Sequence, residues 1–148
     1  MSAIILDGRA YAIIGRGDDT DRAIAVAMAE AGAAVALGTV SQVQAEEFAA
    51  ASIANEVWAI GRGQFSFPLD ATNAEHVQAF ANEVVIRLGH CDGLILGLDA
   101  PYEAVQSFRS ALPGVQAFWL AVENIGEGAV EVRETPQETA AAVLALLG

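Results

Sequence analysis

Apolar and polar positions follow two rhythms along this chain. Unbroken apolar runs at Ala10–Ile14, Ala34–Leu37 and Gly93–Leu98 read as strands buried on both faces, because a strand with one wet face would show a polar residue at every second position. Phe65-Ser66-Phe67, ahead of Pro68, reads as a further short strand. Between these runs the apolar residues recur at helical spacing. An Ala-rich helix is predicted from Arg22 to Ala31, capped by Thr20 or Asp21 and ended by Gly32 as the C′ glycine. A second runs from Ser41, its expected N-cap, to Ala54, and a third from the cap Asn73 to Leu88. The third carries Val77, Phe80, Ala81, Val84, Val85 and Leu88 on one face. Beyond Leu98, residues Pro101–Leu112 read as helix. Pro113–Ile125 reads as a second helical stretch, or as the first continued past a break at Pro113-Gly114. On that reading Val115, Phe118, Trp119, Val122 and Ile125 form a bulky apolar helix face. Gly126 and Gly128 flank a turn, Ala129–Arg133 is a last strand, and Pro136 opens a final helix to Leu147.

Strands that alternate with helices, each strand apolar throughout, imply a parallel sheet covered on both sides. The expectation is an α/β, Rossmann-like, doubly wound parallel sheet of about five strands in a single domain over residues 1–148. A composition of 54% hydrophobic and 18% charged residues excludes a disordered chain. A net charge of −12 argues against nucleic acid, whose phosphates call for a basic face. With one cysteine, Cys91, no intrachain disulfide forms, and a buried inert thiol is expected. Neither a signal peptide nor a membrane-length apolar run is visible, so a cytoplasmic location is expected.

The stretch with the most chemical content is Ile13-Ile14-Gly15-Arg16-Gly17-Asp18-Asp19-Thr20-Asp21-Arg22. A strand, a glycine-bearing turn and a helix in that order are where a Rossmann fold holds a dinucleotide, with its pyrophosphate at the helix N-terminus. Here carboxylates sit in the turn. Two charges of the same sign at ~4 Å, in an effective dielectric of ~20, repel by about 4 kcal/mol. That is roughly three decades of affinity. Gly15-Arg16-Gly17 can form an anion nest, but Asp18, Asp19 and Asp21 oppose it.

Several segments together resemble short-chain dehydrogenases/reductases. Leu6-Asp7-Gly8-Arg9 is similar to the family's lead-in, and Arg22–Ala25 with Ala29–Ala33 to its first helix and turn. Pro68-Leu69-Asp70-Ala71-Thr72-Asn73 is similar to the segment whose Asp sits beside the adenine. Leu88–Ile95 is similar to the approach to the fourth strand, and Thr135–Leu144 to a late helix. The departures fall on the functional positions. The family's Thr-Gly-x-x-x-Gly-x-Gly lands on Ile14, Gly15, Asp19 and Asp21. Thr39 stands where an acidic residue would hold the ribose, and Leu96-Gly97-Leu98-Asp99 where the family has Asn-Asn-Ala-Gly. Only Asp70 matches, and an Asp there also caps a turn. The family's catalysis uses Ser, Tyr and Lys, the Lys lowering the pKa of a Tyr four residues earlier. This chain has no lysine, and Tyr102 is followed at that distance by Gln106. Matching Ala111-Leu112-Pro113-Gly114 to the catalytic helix puts Val105 at the Tyr position and Arg109 at the Lys position. Valine has no proton to relay, and arginine does not release one. A helix, the strand bearing the Ser, the substrate loop and the last strand read as deleted.

The resemblance therefore implies a non-catalytic subunit with no intact cofactor site, Gly15, Asp19, Asp21, Thr39 and Asp70 being its degenerate remains. It implies a partner as well, an active NAD-dependent dehydrogenase in an α2β2 assembly, with NAD and a coenzyme A ester held by that partner. In the family, two long helices after the fourth strand pack against a second subunit, which makes Val115, Phe118, Trp119 and Val122 the interface candidates. The alternative is a small nucleotide- or ligand-binding protein or enzyme using a non-standard site in the crevice at the strand ends. A self-associating module is a third possibility. His76 and His90 lie far apart with no carboxylate or thiol cluster, so no metal site is expected. Gly61-Arg62-Gly63 reads as a tight loop, Glu30, Glu46 and Glu47 as solvated helix positions, and no Ser has the paired His of a hydrolase.

Overall fold

The computed structural model describes residues 5–123 and 126–148. In chain order the elements are β1 (Ala10–Ile14), α1 (Asp19–Glu30), β2 (Ala34–Gly38), α2 (Gln44–Ile60) and β3 (Gln64–Phe67). Then follow α3 (Ala74–Leu88), β4 (Gly93–Leu96), α4 (Glu103–Ala111), β5 (Gln116–Ala121), β6 (Ala129–Glu131) and α5 (Pro136–Leu147). The strands form one sheet in the order β3-β2-β1-β4-β5-β6, every neighbouring pair parallel. The α/β, Rossmann-like expectation holds, with six strands rather than about five. Strand order reverses between β1 and β4, and in such sheets the crevice outside the carboxyl ends at that point is where ligands sit.

Alternate residues of each strand feed two cores, which is why the central strands are apolar without interruption. Tyr11, Ile13, Val35, Leu37, Ile95, Leu120 and Val130 pack with α1, α2 and α5. Ala12, Ile14, Ala36, Leu94 and Leu96 pack with α3 and α4 on the other side. There Phe80 of α3 meets Phe65, Phe67 and Phe108 at ring centroid distances of 6.1, 5.4 and 6.1 Å, tying α3 to β3 and α4.

Residues Gln116–Ala121 correct the helical reading of Pro113–Ile125, since they form β5. The spacing of Val115, Phe118, Trp119 and Val122 imitates a helix stripe, but the run is short and framed by Gly114 (φ 87°) and Gly126 (φ 91°). Pairing with β4, Leu94 opposite Ala117 and Leu96 opposite Trp119, decides it. Ile125 lies outside the described residues. The fifth expected strand is thus β6, and the strand after β4 is present rather than deleted.

The connection from β5 to β6, residues 122–128, is shorter than the dozen or so residues a parallel crossover ordinarily takes. The geometry closes because the overlap is small. Trp119 pairs with Ala129, Leu120 with Val130 and Ala121 with Glu131. At ~3.3 Å per residue the paired overlap of the two strands is only about 7–10 Å long.

The ends of the helices follow local chemistry. Asn73 caps α3 as expected, accepting from the N–H groups of Glu75 and His76. Thr135 caps α5 by accepting from Glu138 N–H. Helix α1 is capped by Asp18, not Thr20 or Asp21. Helix α2 starts at Gln44 without a side-chain cap and runs on to Ile60, where Gly61 closes it with φ 97°. Among the described residues no helix is long and apolar enough to cross a membrane.

Candidate functional site

The turn between β1 and α1 lies at the carboxyl end of the central strand. Gly15 N–H donates to Gly38 O at 3.1 Å, holding the turn against the end of β2. Gly17 takes φ 78°, a conformation that disfavours side chains, and a Cβ there would also meet Ala49. Asp18 accepts from Asp21 N–H at 2.8 Å as the N-cap.

Asp21, one of the two expected acidic intruders, is buried. It belongs to the first turn of α1 yet is only 2% exposed. Its Oδ2 accepts from Gly17 N–H at 3.0 Å. Its carboxylate wedges between two glycines. A Cβ on Gly15 would overlap it, and a Cβ on Gly97 would lie 2.9 Å from Oδ1. Oδ1 is the buried side-chain atom that finds no hydrogen-bond partner among the described residues. Burial first, and the charge of Asp18 second, push this carboxyl up to about 7. A void of about 10 Å³ lies beneath the turn, between its glycines and the core residues Ile13, Leu37 and Ile53, with room for about one water. The carboxylate thus lies under the turn itself, against Gly15, Gly17 and Gly97. Asp19, the other expected acidic intruder, is exposed at the helix start.

A second internal anion closes the neighbouring loop. Glu46 of α2 is 6% exposed, which corrects its reading as a solvated position. Its Oε1 accepts from Val40 N–H at 3.0 Å and Ser41 N–H at 2.9 Å. Its Oε2 accepts from the Ser41 hydroxyl at 2.6 Å and from Arg16 at 2.7 Å. Burial opposes its charge, but the bonds from Ser41 and Val40 and the Arg16 guanidinium together hold its carboxyl below the usual range. Ser41, expected to cap α2, is drawn into this network instead. Arg16 also approaches Asp99 at 3.6 Å, so its side chain spans the crevice from α2 to the loop after β4. No local pattern marks Glu46: its partners lie 5, 6 and 30 positions away, and only the fold brings Arg16 to it.

The remaining candidates have structural work. Thr39 is buried, and its hydroxyl donates to Leu69 O and accepts from Leu69 N–H, both at 2.8 Å, joining the ends of β2 and β3. Asp70 accepts from Thr72 N–H at 2.9 Å and from its hydroxyl at 2.6 Å, which holds its carboxyl low and caps a turn. Val105 is buried in α4. Arg109, near the other end of α4, donates to Val115 O at 3.0 Å just before β5 begins. That is the amino edge of the sheet, opposite the Gly15 turn. His76 accepts from Asp70 N–H at 3.1 Å, and His90 meets Asp92 at 3.0 Å. No group of metal-ligating residues occurs among the described residues. Burial pushes the Cys91 thiol up to about 11, in keeping with an inert sulfur. Arg62 donates to Ala29 O at 3.0 Å, so Gly61-Arg62-Gly63 is a loop pinned to α1.

The interface candidates do not share one face. Val115 and Trp119 side with the core under α3 and α4, and Phe118 with the core under α1, α2 and α5. Val122, just past β5, is 75% exposed.

No family model matches the chain, and no curated protein matches it. Solved structures do. A hydroxysteroid dehydrogenase from Escherichia coli superposes with a TM-score of 0.65 at 19% identity, over 96% of this chain and 67% of its own. A short-chain type dehydrogenase/reductase from Mycobacterium marinum gives 0.65 at 20% identity, over 97% and 70%. A 7α-hydroxysteroid dehydrogenase, solved with NADH and 7-oxo glycochenodeoxycholic acid, gives 0.66 at 20% identity, over 98% and 65%. The fold of this chain is accordingly that of the short-chain dehydrogenases/reductases, spanning about two thirds of the length of those proteins.

Proposed function

We propose that the chain is a non-catalytic, dehydrogenase-like subunit that assembles with and stabilises an active NAD-dependent short-chain dehydrogenase. The observation that carries this reading is the Asp21 carboxylate, buried in the cradle between Gly15 and Gly97 and bonded to Gly17 N–H. Glu46 holds the amides after β2 in the same manner. The absence of lysine, and so of any Tyr-x-x-x-Lys pair, adds the chemical half. On this reading NAD and substrate bind the partner in an α2β2 heterotetramer. By resemblance, the enzyme proposed is 2-[hydroxy(phenyl)methyl]succinyl-CoA dehydrogenase of the benzylsuccinate pathway in anaerobic toluene degradation, which couples an active subunit with a small inactive sister. The substrate is then a hydroxyacyl-CoA, and the protein works in the cytoplasm.

Titrating the purified chain with NADH and following nucleotide fluorescence tests the cofactor half. Saturation is expected to be absent into the millimolar range, and micromolar binding would overturn it. Purifying the tagged chain from its native host tests the assembly half. An equal amount of a full-length dehydrogenase is expected, and recovery of identical copies alone would refute it.

A further inference from the structure

Among the described residues β3 ends the sheet on the side away from β6. Its odd-numbered positions serve β2: Val35 N–H donates to Gly63 O at 3.0 Å, and Thr39 N–H to Phe67 O at 3.3 Å. The main-chain groups of Gln64 and Ser66 therefore point outward, past the edge. An open edge invites a further strand unless a charge, a proline or a bulge blunts it. Gln64–Phe67 contains no charge and no proline, and its register with β2 is unbroken.

The helices on either side of that edge form a matching border. On α2, Ala49 faces Gly17 and Glu56 binds Arg22, so that side of the helix is turned to α1. Trp58, about two and a half turns beyond Ala49, stands on the side turned to the edge. Phe48 lies near the start of the helix, in a cleft of about 250 Å³ with Glu47, Ser66, Phe67 and Pro68. Phe48 and Trp58 are 65% and 67% exposed, more than any other aromatic side chain among the described residues. On α3, Glu83 and Arg87 pair at 3.4 Å, and Arg87 lies over the Phe65 ring, so one charge of each sign borders the edge there.

We infer that two copies of this chain associate through this flank, their β3 strands pairing antiparallel about a two-fold axis at Phe65. A second copy is the occupant because the border complements itself. Positions 48 and 58 lie equally far from 53, so two antiparallel α2 helices set Phe48 of each copy against Trp58 of the other. Gln64 of each copy lies opposite Ser66 of the other and exchanges both main-chain hydrogen bonds with it. Glu83 and Arg87 meet their opposites across α3, and the two-fold makes every contact twice. The flank is about 25 Å long, the length of α2, and about 30 Å deep, two helices and a strand layer at ~10 Å each. That is roughly 750 Å², close to the ~800 Å² per partner of a stable interface. A net charge of −12 on each copy opposes the approach, so the pairing strengthens as salt screens it. Neither the Asp21 cradle nor a dehydrogenase partner enters into this pairing, so its failure would leave the proposed function standing.

Analytical ultracentrifugation of the purified chain tests it. A particle of twice 15.3 kDa is expected at about 0.15 M salt, with pairing at least about threefold weaker at about 0.01 M. Trp58→Glu, at an exposed site, is expected to keep the circular dichroism of the fold and to weaken pairing more than about tenfold. In a Cys91→Ala background, Gln64→Cys together with Ser66→Cys brings opposed thiols within disulfide reach across the axis. Oxidation is expected to give a covalent dimer from that double variant and none from Gln64→Cys alone. A monomer at every concentration, a dimer indifferent to Trp58→Glu, or a double-cysteine chain that does not crosslink would each overturn the β3 pairing.

Discussion

Asp21 combines burial, an unpartnered oxygen and a charge, and each has a measurable consequence. With its carboxyl raised to about 7, the folded chain holds a proton there that the unfolded chain releases near pH 4. Its contribution to stability is therefore greatest at low pH, declines as pH rises from about 4 to 7, and is flat above. Asp21→Asn removes the charge and keeps the shape. It is expected to raise stability at pH 8 by about 1–3 kcal/mol and to make little difference at pH 4, read from urea denaturation at both pH values. An equal effect at both would show that the charge is not the penalty. Glu46 behaves in the opposite sense, because its carboxylate satisfies buried amides. Glu46→Ala strands the Val40 and Ser41 N–H groups and is expected to destabilise by about 2–4 kcal/mol at neutral pH. Of the two, only the first was legible from sequence. Asp21 stands four residues past Gly17 in a turn with a known purpose. Glu46 looks like any early helix glutamate until α2 is folded against Arg16.

At the scale of elements, patterning located the helices and the first four strands because each is long or uninterrupted enough for its period to show. It failed at Gln116–Ala121, where two aromatics at i and i+1 serve a helix stripe and the opposite faces of a strand equally well. What settles such a segment is its neighbour, β4, and that pairing is nonlocal. The turn that follows depends on Gly128, which has φ 94° and lies under the Trp119 ring with no space for a Cβ. Gly128→Ala combines left-handed strain with a clash against the indole and is expected to destabilise by about 2–4 kcal/mol. In a Trp58→Phe background, where Trp119 is the remaining indole, its emission is expected to shift red as the ring leaves its seat. Unchanged emission together with unchanged stability would show that β6 is not held this way.

For the whole molecule the dominant quantity is a net charge of −12 with no lysine and seven arginines. Self-repulsion of this kind opposes compactness and is screened by salt. Raising ionic strength from about 0.01 to 0.15 M shortens the Debye length from about 30 to 8 Å. The melting temperature of the isolated chain is expected to rise by a few degrees, read by calorimetry, and a fall would contradict the repulsion.

The carboxylate between Gly15 and Gly97 has one more implication. It is tethered to the turn it fills, so a soluble nucleotide must compete with a group whose effective concentration is on the order of millimolar or higher. On the proposed reading such a domain draws no mass-action support from a nucleotide pool. Its melting temperature is then expected to be the same with and without added NADH.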